Sequence, residues 1–197
     1  SFYFGHHMTT VEGGMVSTNN TELYDLMRVK RSHGLARESG YFPTYKAMNP
    51  EINPQFLFVT DGYNFRNNEI GAVLGQSQLC RLDNMIIKRN ENYRSYYELL
   101  LHHQDKFYIP TWNLRMSSFC FPLISKNIEN YLKLEELLGE YKVEYRPVVG
   151  GNLLKQPFLN GYEANCPNAD ILHERGLYIG NSHFVGDEHM NLLEEIL

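Results

Sequence analysis

Residues 1–14 read Ser1-Phe2-Tyr3-Phe4-Gly5-His6-His7-Met8-Thr9-Thr10-Val11-Glu12-Gly13-Gly14. Within them stand a hydroxyl, two adjacent imidazoles, two threonines and a Gly-Gly turn. Imidazole is the side chain whose unperturbed pKa, about 6.5, suits proton transfer near neutrality. A solvated surface loop is the plainer reading of the same residues. A metal site is a poor third, because adjacent histidines rarely face one ion and no His-Glu-x-x-His or Cys-x-x-Cys follows. The chain opens on Ser1 rather than Met, inside what reads as a motif, so it is expected to be the C-terminal part of a longer protein.

Outward from this stretch, Met15–Thr18 is expected as a short strand after the Gly-Gly turn. Asn20 or Thr21 caps a helix running to about His33, stopped by Gly34. From Leu35 to Gly62 the periodicity lapses among Pro43, Pro50 and Pro54, which predicts a long loop. Asn67 and Asn68 cap a helix through Ile70, Val73, Leu74 and Leu79. After a kink, apolar positions Leu82, Ile86, Tyr93, Tyr97 and Leu100 predict a long helix ending near His103. His102 and His103 fit a helix end, where a positive group suits the dipole. Strands at Phe107–Ile109, Ser117–Ile124 and Lys142–Arg146 alternate with helices at Ile128–Leu138 and Asp187–Leu197. That rhythm is that of a small α/β domain.

The 197 residues carry 18 Lys+Arg against 23 Asp+Glu, a net charge of −5, which argues against nucleic acid as a partner. Apolar residues make up 43% of the chain, enough for a core and too many for a disordered tail. No run of 18 apolar residues exists, so no membrane span or membrane partner is expected. The opening residues have no apolar signal-peptide core. Cys80, Cys120 and Cys166 are few, odd in number and far apart, which fits a reduced, cytoplasmic setting better than a disulfide scaffold.

The opening stretch resembles the cofactor-lysine segment of the DegT/DnrJ/StrS sugar aminotransferase family, Ser-Phe-x-x-x-Lys-x-x-Thr-x-x-Glu-Gly-Gly. Ser1, Phe2, Thr9, Glu12, Gly13 and Gly14 fall on that pattern without gaps, and His6 occupies the lysine's place. Arg31-Ser32-His33-Gly34 is similar to the family's Arg-x-His-Gly, and Gly62-Tyr63-Asn64-Phe65-Arg66 to its Gly-Tyr-Asn-Tyr-Arg turn. Tyr145-Arg146-Pro147 and Lys155-Gln156-Pro157 stand where the family has Arg-Pro and Gln-Pro elements.

The resemblance implies an α/β, aspartate-aminotransferase-like fold (pyridoxal-phosphate-dependent transferase fold type I). Residues 1–104 would be the end of the large cofactor domain with its long connecting helix, and residues 105–197 the small C-terminal domain. It implies pyridoxal 5'-phosphate or pyridoxamine 5'-phosphate as cofactor, a homodimer, a nucleotide-sugar substrate and glutamate as amino donor. Lysine at position 6 would bind the cofactor covalently and drive transamination. Histidine cannot, but it still moves protons, and His6 resembles the residue of the nucleotide-sugar 3-dehydratases within the family. These use free pyridoxamine phosphate to remove the 3-hydroxyl of a 4-keto-6-deoxy sugar. His6 would act as base and then acid. Ser1 would donate to the cofactor phosphate, and Asn64 would reach it across the dimer.

Several other readings are weighed with that one. His7 is the second choice as base, and His33 is expected as a packed or capping residue. Glu12-Gly13-Gly14 reads as backbone geometry, and Gly150-Gly151-Asn152 as a loop. An iron–sulfur dehydrase of the same family would need clustered cysteines in residues 35–62, which contain none. An aminotransferase using Lys30, Lys46 or Lys88, or an inactive binding module, are the alternatives. The family's ring-binding aspartate and stacking aromatic would lie upstream of Ser1, so these 197 residues alone are expected to be inactive.

Overall fold

A helix begins where a side chain can take the free N–H groups of its first turn, and Asn20 does this for helix α1, Thr21–Arg31. Its Oδ1 accepts from the Leu23 N–H at 2.9 Å. Glu22 in the first turn and Arg28, Lys30 and Arg31 in the last complement the helix dipole. The helix ends as the N–H groups of Ser32 and Gly34 both return to the Val29 carbonyl. Gly34 has φ +81°, and a Cβ there would stand 1.9 Å from the Thr60 carbonyl oxygen, so only glycine fits.

The computed structural model describes residues 1–197, which divide by contacts into two units, Ser1–Leu79 and Cys80–Leu197. The boundary expected at residue 104 follows the end of the long helix instead. That helix therefore changes side between the two divisions. In the first unit the expected loop of residues 35–62 is partly helical. It contains 3₁₀ turns at Ala36–Glu38 and Pro54–Phe56, and helix α2, Phe42–Met48, with Pro43 in its first turn. Proline has no N–H to lose in a first turn, so here it starts a helix rather than breaking one. Asp25 on α1 anchors the segment, accepting from the Ser39 hydroxyl at 2.5 Å and the Gly40 N–H at 2.6 Å. Helix α3, Glu69–Leu79, is capped by Asn68, whose side chain accepts from the Gly71 N–H at 2.9 Å. Residues 15–18 form no strand. They are irregular in structure, with Met15 and Val16 exposed, because β-pattern alone provides no pairing partner.

The second unit opens on helix α4, Leu82–Leu101, which buries Met85, Arg89, Asn92, Tyr93, Tyr96 and Leu100 along one face. There follow β1 (Cys120–Ile124), α5 (Ile128–Glu140), β2 (Tyr145–Pro147), α6 (Pro167–Arg175), β3 (Gly176–Gly180) and α7 (Asp187–Ile196). The sheet has the order β1-β3-β2, antiparallel throughout. Residues 107–109, expected as a strand, contribute only a bridge between Phe107 and Ser125. The central strand was missed by periodicity because Gly-Leu-Tyr-Ile-Gly is short, bounded by glycines and follows α6 without a loop. The core gathers Tyr96, Leu100, Phe121, Leu123, Leu138 and Leu177, and full burial of each aliphatic side chain stabilises by about 1.5–3 kcal/mol. No helix is long and apolar enough to cross a membrane.

A polar network lies between α4 and the β3–α7 loop. Buried Arg89 donates through Nη1 to the Asn181 carbonyl, while its Nε has no partner. The Asn181 side-chain amide donates to the carbonyls of Arg89 and Ser118, each at 3.0 Å, and that of Asn92 to Ser182 at 3.0 Å and Val185 at 3.1 Å. His183 keeps a buried, unpartnered Nδ1, and burial, then the charges of Arg89 and Arg81, pushes its pKa below the ordinary value. His103 is pushed down too, first by burial, then by Lys106, which runs against a charged role at the helix end. A histidine with a depressed folded pKa takes its proton more readily in the unfolded chain. Its contribution is intact above about pH 6.5 and is lost as the pH falls towards the folded value. Urea unfolding followed by the fluorescence of Trp112, the only tryptophan, should therefore show stability declining from pH 7 to pH 5. The decline should be shallower in His183→Gln; an identical slope would rule out this histidine as a source.

Candidate active site

Residues 1–14 form a loop closed on Phe2. The Phe2 N–H donates to the Gly13 carbonyl at 2.9 Å, and the Phe2 carbonyl accepts from the Thr10 N–H at 2.9 Å and the Thr9 hydroxyl at 3.2 Å. Thr10 Oγ1 donates to the Glu12 carbonyl at 2.7 Å, and the Val11 N–H donates to Thr9 Oγ1 at 3.0 Å. Glu12 and Gly13 thus contribute their backbones to the closure; Gly13 has φ +147°, and a Cβ there would meet Thr10 Oγ1 at 2.8 Å. At the tip, Ser1 Oγ accepts from the Tyr3 N–H at 3.2 Å, and the His6 N–H donates to the Tyr3 carbonyl at 3.1 Å. The Tyr3 ring lies edge-on to the His6 imidazole with centroids 6.4 Å apart. Ser1 and His6 are thus both tied to Tyr3, and both are exposed, whereas His7 is half-buried.

Asn64 is built on a second device. Residues 63–65 pair with the end of α1: Tyr63 N–H to Lys30 O at 2.6 Å, His33 N–H to Tyr63 O at 2.8 Å, and Phe65 N–H to Arg31 O at 2.9 Å. The result is a bridge between Ser32 and Asn64. Extended backbone alternates its side chains, so Tyr63 and Phe65 stack on one side, 4.8 Å apart and 2° from parallel, and exposed Asn64 takes the other. Close approach is possible because Gly62 has no side chain; a Cβ there would stand 2.3 Å from the Gly34 nitrogen. Lys30 and Asp61 add an ion pair at 2.8 Å, and the Lys30 hydrogen bond holds the Asp61 carboxyl below its usual range. His33 is neither packed nor capping through its side chain, which is exposed. Its backbone, at φ +64°, makes the turn.

Next along the chain, Phe65 and Arg66 reach an open hollow of about 540 Å³ whose lining also includes Arg31, Arg37, Asn67 and Asn68 but not Asn64. Glu38 pairs with Arg37 at 3.8 Å and Glu69 opens α3, so the lining sets three arginines against two carboxylates at the start of that helix. Forked guanidinium donors beside a helix N-terminus suit a phosphate or diphosphate. Sequence alone did not single out this cluster. Arg31 opens one recognisable motif and Arg66 ends another, but Arg37 carries no local signal and joins them only through the turn at Gly34.

The sequence model of the DegT/DnrJ/EryC1/StrS aminotransferase family matches residues 1–196. GDP-4-keto-6-deoxy-D-mannose 3-dehydratase of Yersinia pseudotuberculosis is 32% identical to the chain, over all of this chain and 52% of that protein. The E. coli GDP-4-keto-6-deoxy-D-mannose 3-dehydratase, whose structure is solved with bound hydrated PLP, is 28% identical. It superposes with a TM-score of 0.87 over 100% of this chain and 52% of its own. A second dehydratase structure, a histidine-to-asparagine mutant with bound GDP-perosamine, has a TM-score of 0.84 at 27% identity, over 99% of this chain and 53% of its own. The chain spans about half the length of these relatives. Its fold is the aspartate-aminotransferase-like fold of PLP-dependent enzymes.

The clasp at Gly34 can be tested directly. Gly34→Ala should lower the melting temperature, consistent with a loss of about 1–3 kcal/mol for forcing a side chain into left-handed backbone against a carbonyl. It should also open residues 57–66 to limited proteolysis. Gly40→Ala is the control, since a Cβ there meets only the Asp25 carboxylate at an ordinary 3.5 Å. Equal behaviour of the two variants would refute the steric account.

Proposed function

Because the chain belongs to the DegT/DnrJ/EryC1/StrS aminotransferase family, we propose that it forms the catalytic-histidine part of a pyridoxamine-phosphate-dependent nucleotide-sugar 3-dehydratase. The substrate class is a nucleotide-linked 4-keto-6-deoxy sugar, in deoxysugar synthesis for cell-surface polysaccharide. The observation that carries this reading is an exposed imidazole, His6, at the family's lysine position, in a loop where Ser1 and His6 are both tied to Tyr3. The similarity to 3-dehydratases over the whole chain supports it.

The donor set fits such a cofactor held without a covalent bond. Ser1 and Asn64 expose neutral hydrogen-bonding groups suited to a phosphate, and an imidazole stands where an imine-forming amine would otherwise be. When bound, the cofactor supplies an amine for the 4-keto carbon and an electron sink for the elimination. His6 takes up a proton as the carbon acid ionises, becoming imidazolium. It then hands that proton to the hydroxide leaving sugar carbon 3 and is neutral again. Proton uptake and delivery by one group suit imidazole, whose two forms are both accessible near neutral pH. Arg31, Arg37 and Arg66 would balance the charge of the nucleotide diphosphate.

The remaining parts of the reading follow from the family. Asn64 would serve the neighbouring subunit's cofactor in a homodimer, glutamate would restore the amine, and the enzyme would work in the cytoplasm. Residues 1–104 and 105–197 would be the end of the large domain and the small domain. Transamination through another lysine is disfavoured, since Lys30 is tied to Asp61 at 2.8 Å and Lys46 and Lys88 lie outside the motif.

In the full-length enzyme, His6→Asn should lower turnover of the keto sugar by about 10²–10⁴-fold while cofactor affinity changes little. His6→Lys should attach the cofactor covalently, giving a visible absorbance band that borohydride traps. His7→Asn should change little. Near-wild-type elimination by His6→Asn would refute the mechanism, and a dead His7→Asn beside an active His6→Asn would move the base by one residue.

A further inference from the structure

Helix α3 carries one glycine in its first turn, Gly71, and one in its interior, Gly75, where alanine would stabilise the helix better. Gly71, Gly75 and Gln78 stand at positions i, i+4 and i+7 and so share one face. That face meets the neck of the His6 loop. A Cβ on Gly71 would approach Thr10 Cβ to 3.5 Å, and one on Gly75 would approach Thr10 Cγ2 to 3.3 Å, tighter than ordinary contact. One turn on, the Gln78 amide makes two hydrogen bonds to a single residue. Its Oε1 accepts from the Thr9 N–H at 2.9 Å, and its Nε2 donates to the Thr9 carbonyl at 3.0 Å.

A primary amide that both donates to and accepts from one residue acts as a one-residue strand partner. It fixes the orientation of that residue as well as its distance. The tip, residues 3–8, is suspended between Phe2 and Thr9, and these are joined by the Thr9 hydroxyl to the Phe2 carbonyl at 3.2 Å. Gln78 therefore anchors one end of the tip directly and the other through Thr9, with the two glycines letting Thr10 lie flat on the helix.

We infer that Gln78 is a positioning residue for His6, holding the catalytic turn on helix α3 through its two-point hydrogen bond to Thr9, with Gly75 providing the clearance. This rests on His6 being the acid–base group, as proposed above. Proton transfer depends steeply on placement, and a displacement of about 1 Å can cost on the order of 10²-fold in rate. The effect belongs in turnover rather than in substrate affinity, because the arginines proposed to balance the nucleotide diphosphate, Arg31, Arg37 and Arg66, lie outside the loop that Gln78 holds.

The test uses the full-length enzyme. In Gln78→Leu, similar in size but without the amide, kcat should fall about 10–100-fold with KM within about twofold. In the cofactor-free protein, the Thr9 amide should exchange with deuterium faster. Introduced into His6→Asn, Gln78→Leu should add no further loss, since it acts through the imidazole. Gly75→Ala supplies a variant that folds: its melting temperature should equal or exceed the wild type while kcat falls several-fold. Wild-type kcat in Gln78→Leu, unchanged Thr9 exchange, or an equal loss in both backgrounds would overturn the assignment. Active His6→Asn would instead refute the acid–base reading, and Thr9 exchange would still decide whether Gln78 clamps the loop.

Discussion

The backbone pairing between the end of α1 and residues 63–65 is the constraint on which the first unit depends. Three hydrogen bonds between the backbones of Lys30, Arg31 and His33 and the Tyr63–Phe65 segment turn two distant stretches into one object. Each bond contributes only about 0.5–1.5 kcal/mol net, but leaving such groups buried and unpaired would cost more. The glycines at 34 and 62 are where the two backbones come too close for a side chain. Once the clasp is closed, Asn64 is held on its outer side, Arg31 and Arg66 are brought to one hollow, and the chain from 35 to 61 is tied at both ends.

The two candidate elements of chemistry are therefore built in different ways. The His6 turn is a tight local closure on Phe2 that presents polar groups to solvent, with a helix behind it. The arginine hollow is a long-range junction that gathers Arg31, Arg37 and Arg66. A proton-transfer group gains from being reachable and orientable, whereas an anion site gains from pre-arranged guanidinium forks that need not reorganise on binding.

Much of this was legible in the sequence. Asn20 and Asn68 announce their helices because a capping side chain is a local matter, and the apolar spacing of residues 82–100 marks α4 for the same reason. The Gly62–Arg66 turn was recognisable as a motif, but its partner at the end of α1 was not, because pairing across some thirty residues leaves no trace in either stretch alone. Proline misled at 43, where it begins a helix. Strand pattern misled at 15–18, since extended residues become a sheet only beside a partner. His33 was expected to act through its ring, and the structure uses its left-handed backbone. Of the site residues, Ser1 and His6 could be singled out by motif but not their joint attachment to Tyr3, and Arg37 could not be linked to Arg66.

The order of strands in the second unit bears on how the chain acquires its structure during synthesis. β3 lies in the middle of the sheet yet is the last strand made, after β1 and β2. Until residues 176–180 emerge from the ribosome, neither earlier strand has its neighbour, and the apolar side chains of Phe121 and Leu123 have no sheet to join. Sheets closed by such late, distant pairings form slowly and leave strand edges open to other chains meanwhile. β2 is the less exposed to that hazard, being three residues long and ending in Pro147, which offers no N–H to an intruding strand. β1 has five residues and a proline at its centre, Pro122, so even the longer waiting strand is a poor template for aggregation.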